Sequence, residues 1–113
     1  MAIIIISQKP GPLSPPISVS FAAQSGPFVL MVSGSVWTKT ATSMIGIQIS
    51  LDGDVLGAAQ IYANTAYNHM NVVPAAFGVK LTQGSHTVQL SPANSATASD
   101  DNDFYTVVLE ELG

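Results

Sequence analysis

Ile45, Ile47, Ile49 and Leu51 recur at every second position, with Met44, Gly46, Gln48 and Ser50 between them, and Asp52-Gly53 follows at once. Residues two apart share one face of a strand, whereas a helix would scatter them around its axis. The segment therefore folds as a strand with one apolar face. Asp-Gly readily takes the left-handed conformations of a two-residue hairpin turn, so a second strand is predicted over Val55 to Tyr62, paired antiparallel with the first. Whatever else the chain does, it must supply a layer for that apolar face to cover.

The rest of the sequence supplies one in the same idiom. Ile17, Val19 and Phe21 alternate with Ser18 and Ser20, and Phe28 to Trp37 is a nearly continuous apolar run in which Gly34 suggests a bulge. Val72 to Leu81, interrupted by Pro74 and Gly78, reads as an irregular edge strand. His86 to Leu90 and Phe104 to Leu112 read as two more strands. Asn64 to Asn71 and Ser91 to Asp103 are polar and lack an apolar period, which marks them as loops. No window carries apolar residues at helical spacing over three turns.

At the start, Ile3 to Ile6 is a β-branched run that would be an aggregation template if left bare, so it is expected to pair with a sheet edge. Four prolines between Lys9 and Pro16 oppose a ladder there and make that stretch an extended arm. The expectation is one all-β domain over residues 1–113, an antiparallel β-sandwich of jelly-roll type with about eight strands, in which 1–16 is an N-terminal strand plus Pro-rich arm. Strand parity assigns Phe21, Phe28, Leu30, Trp37, Ile45, Ile47, Ile49, Val88, Leu90, Phe104 and Val108 to the core.

Charge narrows the list of partners. Only 9% of the residues are charged, against about 25% in an ordinary soluble domain, and subunit interfaces exclude charge at their centres. Lys9, Lys39 and Lys80 are the only basic residues beside two histidines, and the net charge is −4. Such a surface offers no footprint for nucleic acid or anionic lipid, and neither is expected as a partner. The apolar run Met1 to Ile6 has no basic flank and is too short for a signal core or a membrane span, which suggests a soluble cytoplasmic or particle-associated protein with no membrane insertion. The absence of Cys removes thiol catalysis and thiolate metal sites.

Catalysis finds little support. Ser33-Gly34-Ser35 is not a nucleophile elbow, and no hydroxyl, histidine and acid stand in a recognisable triad order, so the chain is not expected to be an enzyme. Glu110 and Glu111 fall on opposite faces of the last strand, where acid–base partners would need the same face. His86, on the apolar parity of its strand, is expected to be half buried and satisfied by a backbone carbonyl. Two separated histidines make no zinc site within one chain, although one per subunit could meet around a threefold axis, and a cupin-like enzyme would need more. No cofactor is expected, with one candidate exception: Asp100, Asp101 and Asp103 concentrate hard oxygens on one loop, as calcium prefers, without the spacing of an EF-hand.

For binding, the segment around Tyr62, Asn64, Tyr67, Asn68, His69 and Asn71 stands out. Aromatic faces stack on the apolar faces of sugars while amides bond the hydroxyls, and Trp37 and Tyr105 belong to the same class of side chain. The plainer reading of the cluster is a loop whose tyrosines pack at a rim.

The order Val32 to Trp37, then Leu51-Asp52-Gly53, then Gly84 to Val88, and a last strand opened by Asn102, Asp103, Phe104 and Tyr105 resembles the small jelly rolls of the tumour necrosis factor and complement globular-head type. It is also similar to short β-sandwich proteins of bacteria and phages. The likeness spans roughly the last 85 residues and rests on strand and turn chemistry. Tumour necrosis factor-like jelly rolls assemble as trimers, and the resemblance implies that state here. With the low charge and the apolar arm, it gives a first functional expectation: a non-enzymatic assembly or structural protein forming a symmetric homo-oligomer, as in a phage, virus-like or surface-fibre component. The alternative is a carbohydrate-binding, lectin-like module that uses the Tyr62 to Asn71 loop and takes a glycan as its partner.

Overall fold

The computed structural model describes residues 3–112; Met1 and Ala2, which open the apolar N-terminal run, and Gly113 lie outside the described residues. Nine strands follow one another: β1 (Ile3–Pro10), β2 (Ile17–Ala23), β3 (Gly26–Val36), β4 (Ser43–Leu51), β5 (Asp54–Ala63), β6 (Met70–Asn71), β7 (Ala75–Leu81), β8 (Gly84–Pro92) and β9 (Phe104–Glu111). Among the described residues no helix is long and apolar enough to cross a membrane.

One sheet runs β1-β9-β3-β6, with β7 also pairing β3, and the other runs β2-β8-β4-β5; every pairing is antiparallel. Leu30, Val32, Val36, Val107 and Leu109 of the first sheet share a buried core with Ile45, Ile47, Ile49, Val88 and Leu90 of the second. The architecture is an antiparallel β-sandwich of jelly-roll type, as the alternation predicts.

The β4–β5 hairpin matches its sequence signal closely. Ile45, Ile47 and Ile49 have no exposed surface, and Asp52 (φ 51°) and Gly53 (φ 88°) both take the left-handed turn conformation. At roughly 1.5–3 kcal/mol for each fully buried aliphatic side chain, this single face contributes a large share of the apolar driving force.

Two expectations about the core need correction. In β9 the parity is inverted: Tyr105, Val107 and Leu109 point inward, while Phe104 is 49% exposed and Val108 lies on the outer face. Both faces of β9 are apolar enough to be buried, and the decision falls to Asp103, an inward-held residue of the same parity as Tyr105. Trp37 and Phe21 are only partly buried. Gly34 marks no bulge either. The β3–β9 register passes through it unbroken, and its missing side chain makes room for Tyr105, whose Cδ1 would lie 2.5 Å from any Cβ placed there.

β1 pairs with β9 along the edge of the first sheet, from Ile3 opposite Glu110 to Pro10 opposite Phe104. The ladder thus extends two residues further than the prolines suggest, because Pro10 closes an edge strand, where a missing N–H costs little. The arm that follows is anchored. Gly11 N–H donates to the Asp103 carbonyl at 2.8 Å, Leu13 N–H donates to Ser99 Oγ at 2.8 Å, and the Leu13 side chain is fully buried.

Candidate functional site

The end of β3 carries a connected polar and aromatic group. Just past the strand, Trp37 exchanges two backbone hydrogen bonds with Ala98, at 3.0 and 2.7 Å, which ties the loop before β9 to this end of the sandwich. From the other side, Tyr67 N–H donates to the Thr38 carbonyl at 2.8 Å, and β6 places Asn71 opposite Ser35 and Met70 opposite Val36. Tyr67 itself sits at φ 61°, the left-handed conformation that lets the loop fold back. The result is a group of three rings. Trp37 lies 5.8 Å from Tyr67 and 5.8 Å from His69, centroid to centroid, tilted by 34° and 36°.

Asp103 is the hub beneath these rings. Its carboxylate is almost fully buried, and three donors converge on it: Ser35 Oγ–H and His69 Nδ1–H on Oδ1, each at 2.7 Å, and Asp100 N–H on Oδ2 at 2.8 Å. Burying a carboxylate is tolerable only with such partners. His69 Nε2 faces Asp100 Oδ2 at 3.6 Å, and the ligand-type atoms of His69, Asp100 and Asp103 all lie within 4.8 Å of one another. These three could chelate a metal ion. Asp101, grouped with them in the sequence, is exposed and stands outside the cluster.

Serine, histidine and aspartate meet here, but in an order that does not make a triad. Ser35 donates to the carboxylate and not to the imidazole, so the acid stands between hydroxyl and base. His86 is no better placed. Its Nδ1 bonds Asp52 Oδ2 at 2.6 Å and its Nε2 bonds the Thr82 carbonyl at 2.7 Å, so both ring nitrogens donate to acceptors. The Asp52 carboxylate and the Thr82 carbonyl together raise the His86 pKa above its ordinary value. The bond from His86, with another from Thr87 N–H, lowers that of Asp52. The carbonyl partner of His86 matches the sequence expectation, and Asp52 adds a second role to a hairpin residue. No catalytic motif forms among the described residues.

Tyr105, grouped by sequence with the aromatic residues suited to sugars, is fully buried and cannot meet a ligand. Desolvation, reinforced by the Asp103 charge, raises its hydroxyl pKa, with Ser99 opposing the shift. Tyr62 is exposed on β5, opposite Met44, and Asn64, Asn68 and Asn71 are exposed. Of these expected residues, Tyr67 and His69 are the two brought into ring contact with Trp37. Trp37 also borders an open concavity of about 630 Å³ with Pro12, Ser14, Lys39, Asn94, Thr97 and Ser99. The sequence gives little sign of this concavity, because its walls come from the arm, the Trp37 turn and the loop after β8.

No protein-family model and no curated protein sequence matches the chain. Solved structures do share its fold. A family 35 carbohydrate binding module from Clostridium thermocellum aligns at 12% identity and TM-score 0.50, covering 84% of this chain and 70% of the module. Murine APRIL at pH 5.0 aligns at 16% identity and TM-score 0.50, covering 82% of this chain and 72% of that one. Dimeric latent PorU from Porphyromonas gingivalis aligns at 10% identity and TM-score 0.55, covering 86% of this chain but only 10% of PorU. The sandwich is thus common to carbohydrate-binding-module-like and tumour-necrosis-factor-like structures, and at these identities the likeness establishes the fold alone.

Proposed function

We propose that this chain is a non-catalytic carbohydrate-binding module whose ligand surface is built on the loop from Tyr62 to Asn71. The observation that carries the reading is the group of Trp37, Tyr67 and His69, in which Tyr67 keeps 69% of its surface open to solvent beside a partly covered indole. An aromatic face of this kind suits the apolar side of a pyranose ring, while Asn64, Asn68 and Asn71 supply amides for its hydroxyls and Tyr62 adds a second exposed ring. The same sandwich in a family 35 carbohydrate binding module supports the reading at the level of fold. The test is a glycan array followed by calorimetry on the hits. Tyr67→Ala should weaken binding about tenfold, the value of one aromatic contact near 1.4 kcal/mol. An array without saturable hits would sink the proposal.

A second reading, self-association, is favoured by one specific feature. Ile5, Val108, Met31 and Ala76 stand in register across the outer face of the first sheet, with Ile5 57% and Met31 38% exposed. With so few charges on the chain, a homo-oligomer such as the trimer implied by the tumour necrosis factor-like resemblance would cover this row, in a structural or particle-associated role. Sedimentation velocity decides it: a single monomeric boundary at micromolar concentration removes this reading.

A further inference from the structure

The cluster at the end of β3 has a chemistry of its own, independent of any glycan. An ionised carboxylate only accepts, so the 2.7 Å contact between His69 Nδ1 and Asp103 Oδ1 places a proton on Nδ1, and in the neutral ring the lone pair then sits on Nε2. Nε2 lies 3.6 Å from Asp100 Oδ2. The separation is too long for a hydrogen bond and suits two atoms sharing one ion: with bonds near 2.1 Å the angle at the metal is about 120°. Both side chains remain accessible, 37% and 42% exposed, so water can complete the coordination.

We propose that His69 Nε2 and the Asp100 carboxylate bind a borderline divalent cation of the Zn²⁺ class, with Asp103 as a positioning residue. Both ligands are held before the ion arrives. The Asp103 carboxylate fixes the tautomer and orientation of the imidazole. Asp100 is held twice, its N–H by Asp103 Oδ2 and its Oδ1 by Asn102 N–H at 2.9 Å, which leaves Oδ2 toward His69. Asp103 takes a positioning role because its Oδ1 already accepts two protein donors and its Oδ2 a third, so its carboxylate is committed to holding His69 and Asp100 in place. The donor set decides the class of ion. Calcium takes six to eight oxygens, and here one free carboxylate oxygen stands beside one imidazole nitrogen, a pairing that suits Zn²⁺, Cu²⁺ or Ni²⁺.

Trp37 provides the readout, as the one tryptophan of the chain and 5.8 Å from the His69 ring. Titration with Cu²⁺ should quench its fluorescence saturably at one ion per chain, and Zn²⁺ should compete the quencher away while Ca²⁺ does not. His69→Gln should abolish the quenching, Asp100→Asn should weaken it at least about tenfold, and Asp101→Asn should leave it unchanged. Asp103→Asn should cost about 10- to 100-fold in affinity while keeping one ion per chain, as expected of a positioning residue. Should that variant fail to fold, the intact protein still reports, since Zn²⁺ should shift the ¹⁵N resonance of His69 Nε2 far more than that of Nδ1. Undiminished quenching in His69→Gln, effective competition by Ca²⁺, or an unmoved Nε2 resonance would each overturn the proposal.

Discussion

Replacing Asp103 by Asn tests the hub that joins β3, the His69 loop and the entry to β9. Asparagine fills the same volume but offers one acceptor oxygen where three donors now share two. If the amide oxygen takes the place of Oδ1, it keeps Ser35 and His69, and the amide NH2 then meets the Asp100 N–H head on. The orphaned N–H costs about 1–3 kcal/mol, and the two surviving bonds, no longer charge-assisted, each lose about 1 kcal/mol. The sum is about 3–5 kcal/mol, which for a chain of this length lowers the melting temperature by roughly 15 °C or more. Urea denaturation followed by Trp37 fluorescence measures it directly. A loss below about 1 kcal/mol would refute the hub as a source of stability, and a gain would mean that burying the carboxylate costs more than its three donors return.

Ile47→Ala removes a side chain with no exposed surface between the sheets and should cost about 2–5 kcal/mol in the same assay; a loss under half a kilocalorie would contradict the facing of β4. The Asp52–His86 pair should give a pH dependence on both flanks. His86 holds its proton more tightly in the folded state, so its contribution is whole below the unfolded value of 6.5 and is lost as pH rises through the higher folded value. Asp52 is shifted downward, so its contribution is present above 3.8 and is lost as pH falls through its lower folded value. Thermal stability should therefore decline from pH 6 to pH 9, modestly because Asp52 is 45% exposed, and Asp52→Asn should flatten that decline.

How legible each part was in the sequence follows from whether its determinants are local. The β4–β5 hairpin was readable because alternation, apolar content and Asp52-Gly53 agree within one window. β9 was readable as a strand but not in its facing, because Phe104 and Val108 are as apolar as Val107 and Leu109, and the parity is decided by Asp103 meeting Ser35 far away in sequence. Leu13, between Pro12 and Ser14, has no periodicity to betray its burial, which depends on Ser99 and the core it enters. At the site, the tyrosines, asparagines and His69 were visible as residue types. Their assembly was not: His69 and Asp103 lie 34 positions apart, and no spacing rule links a loop histidine to the residue that precedes a later strand.

The pairing of β1 with β9 has a consequence for synthesis. Ile3 to Pro10 leaves the ribosome long before Phe104 to Glu111, the strand it pairs with, has been made. At translation rates of about 5–20 residues per second, the isoleucine-rich segment waits roughly 5–20 s without its native partner. During that interval it is an unpaired β-branched strand, the kind of surface that nascent chains hand to chaperones or lose to aggregation. Completing the first sheet therefore depends on β1 staying sheltered until β9 arrives.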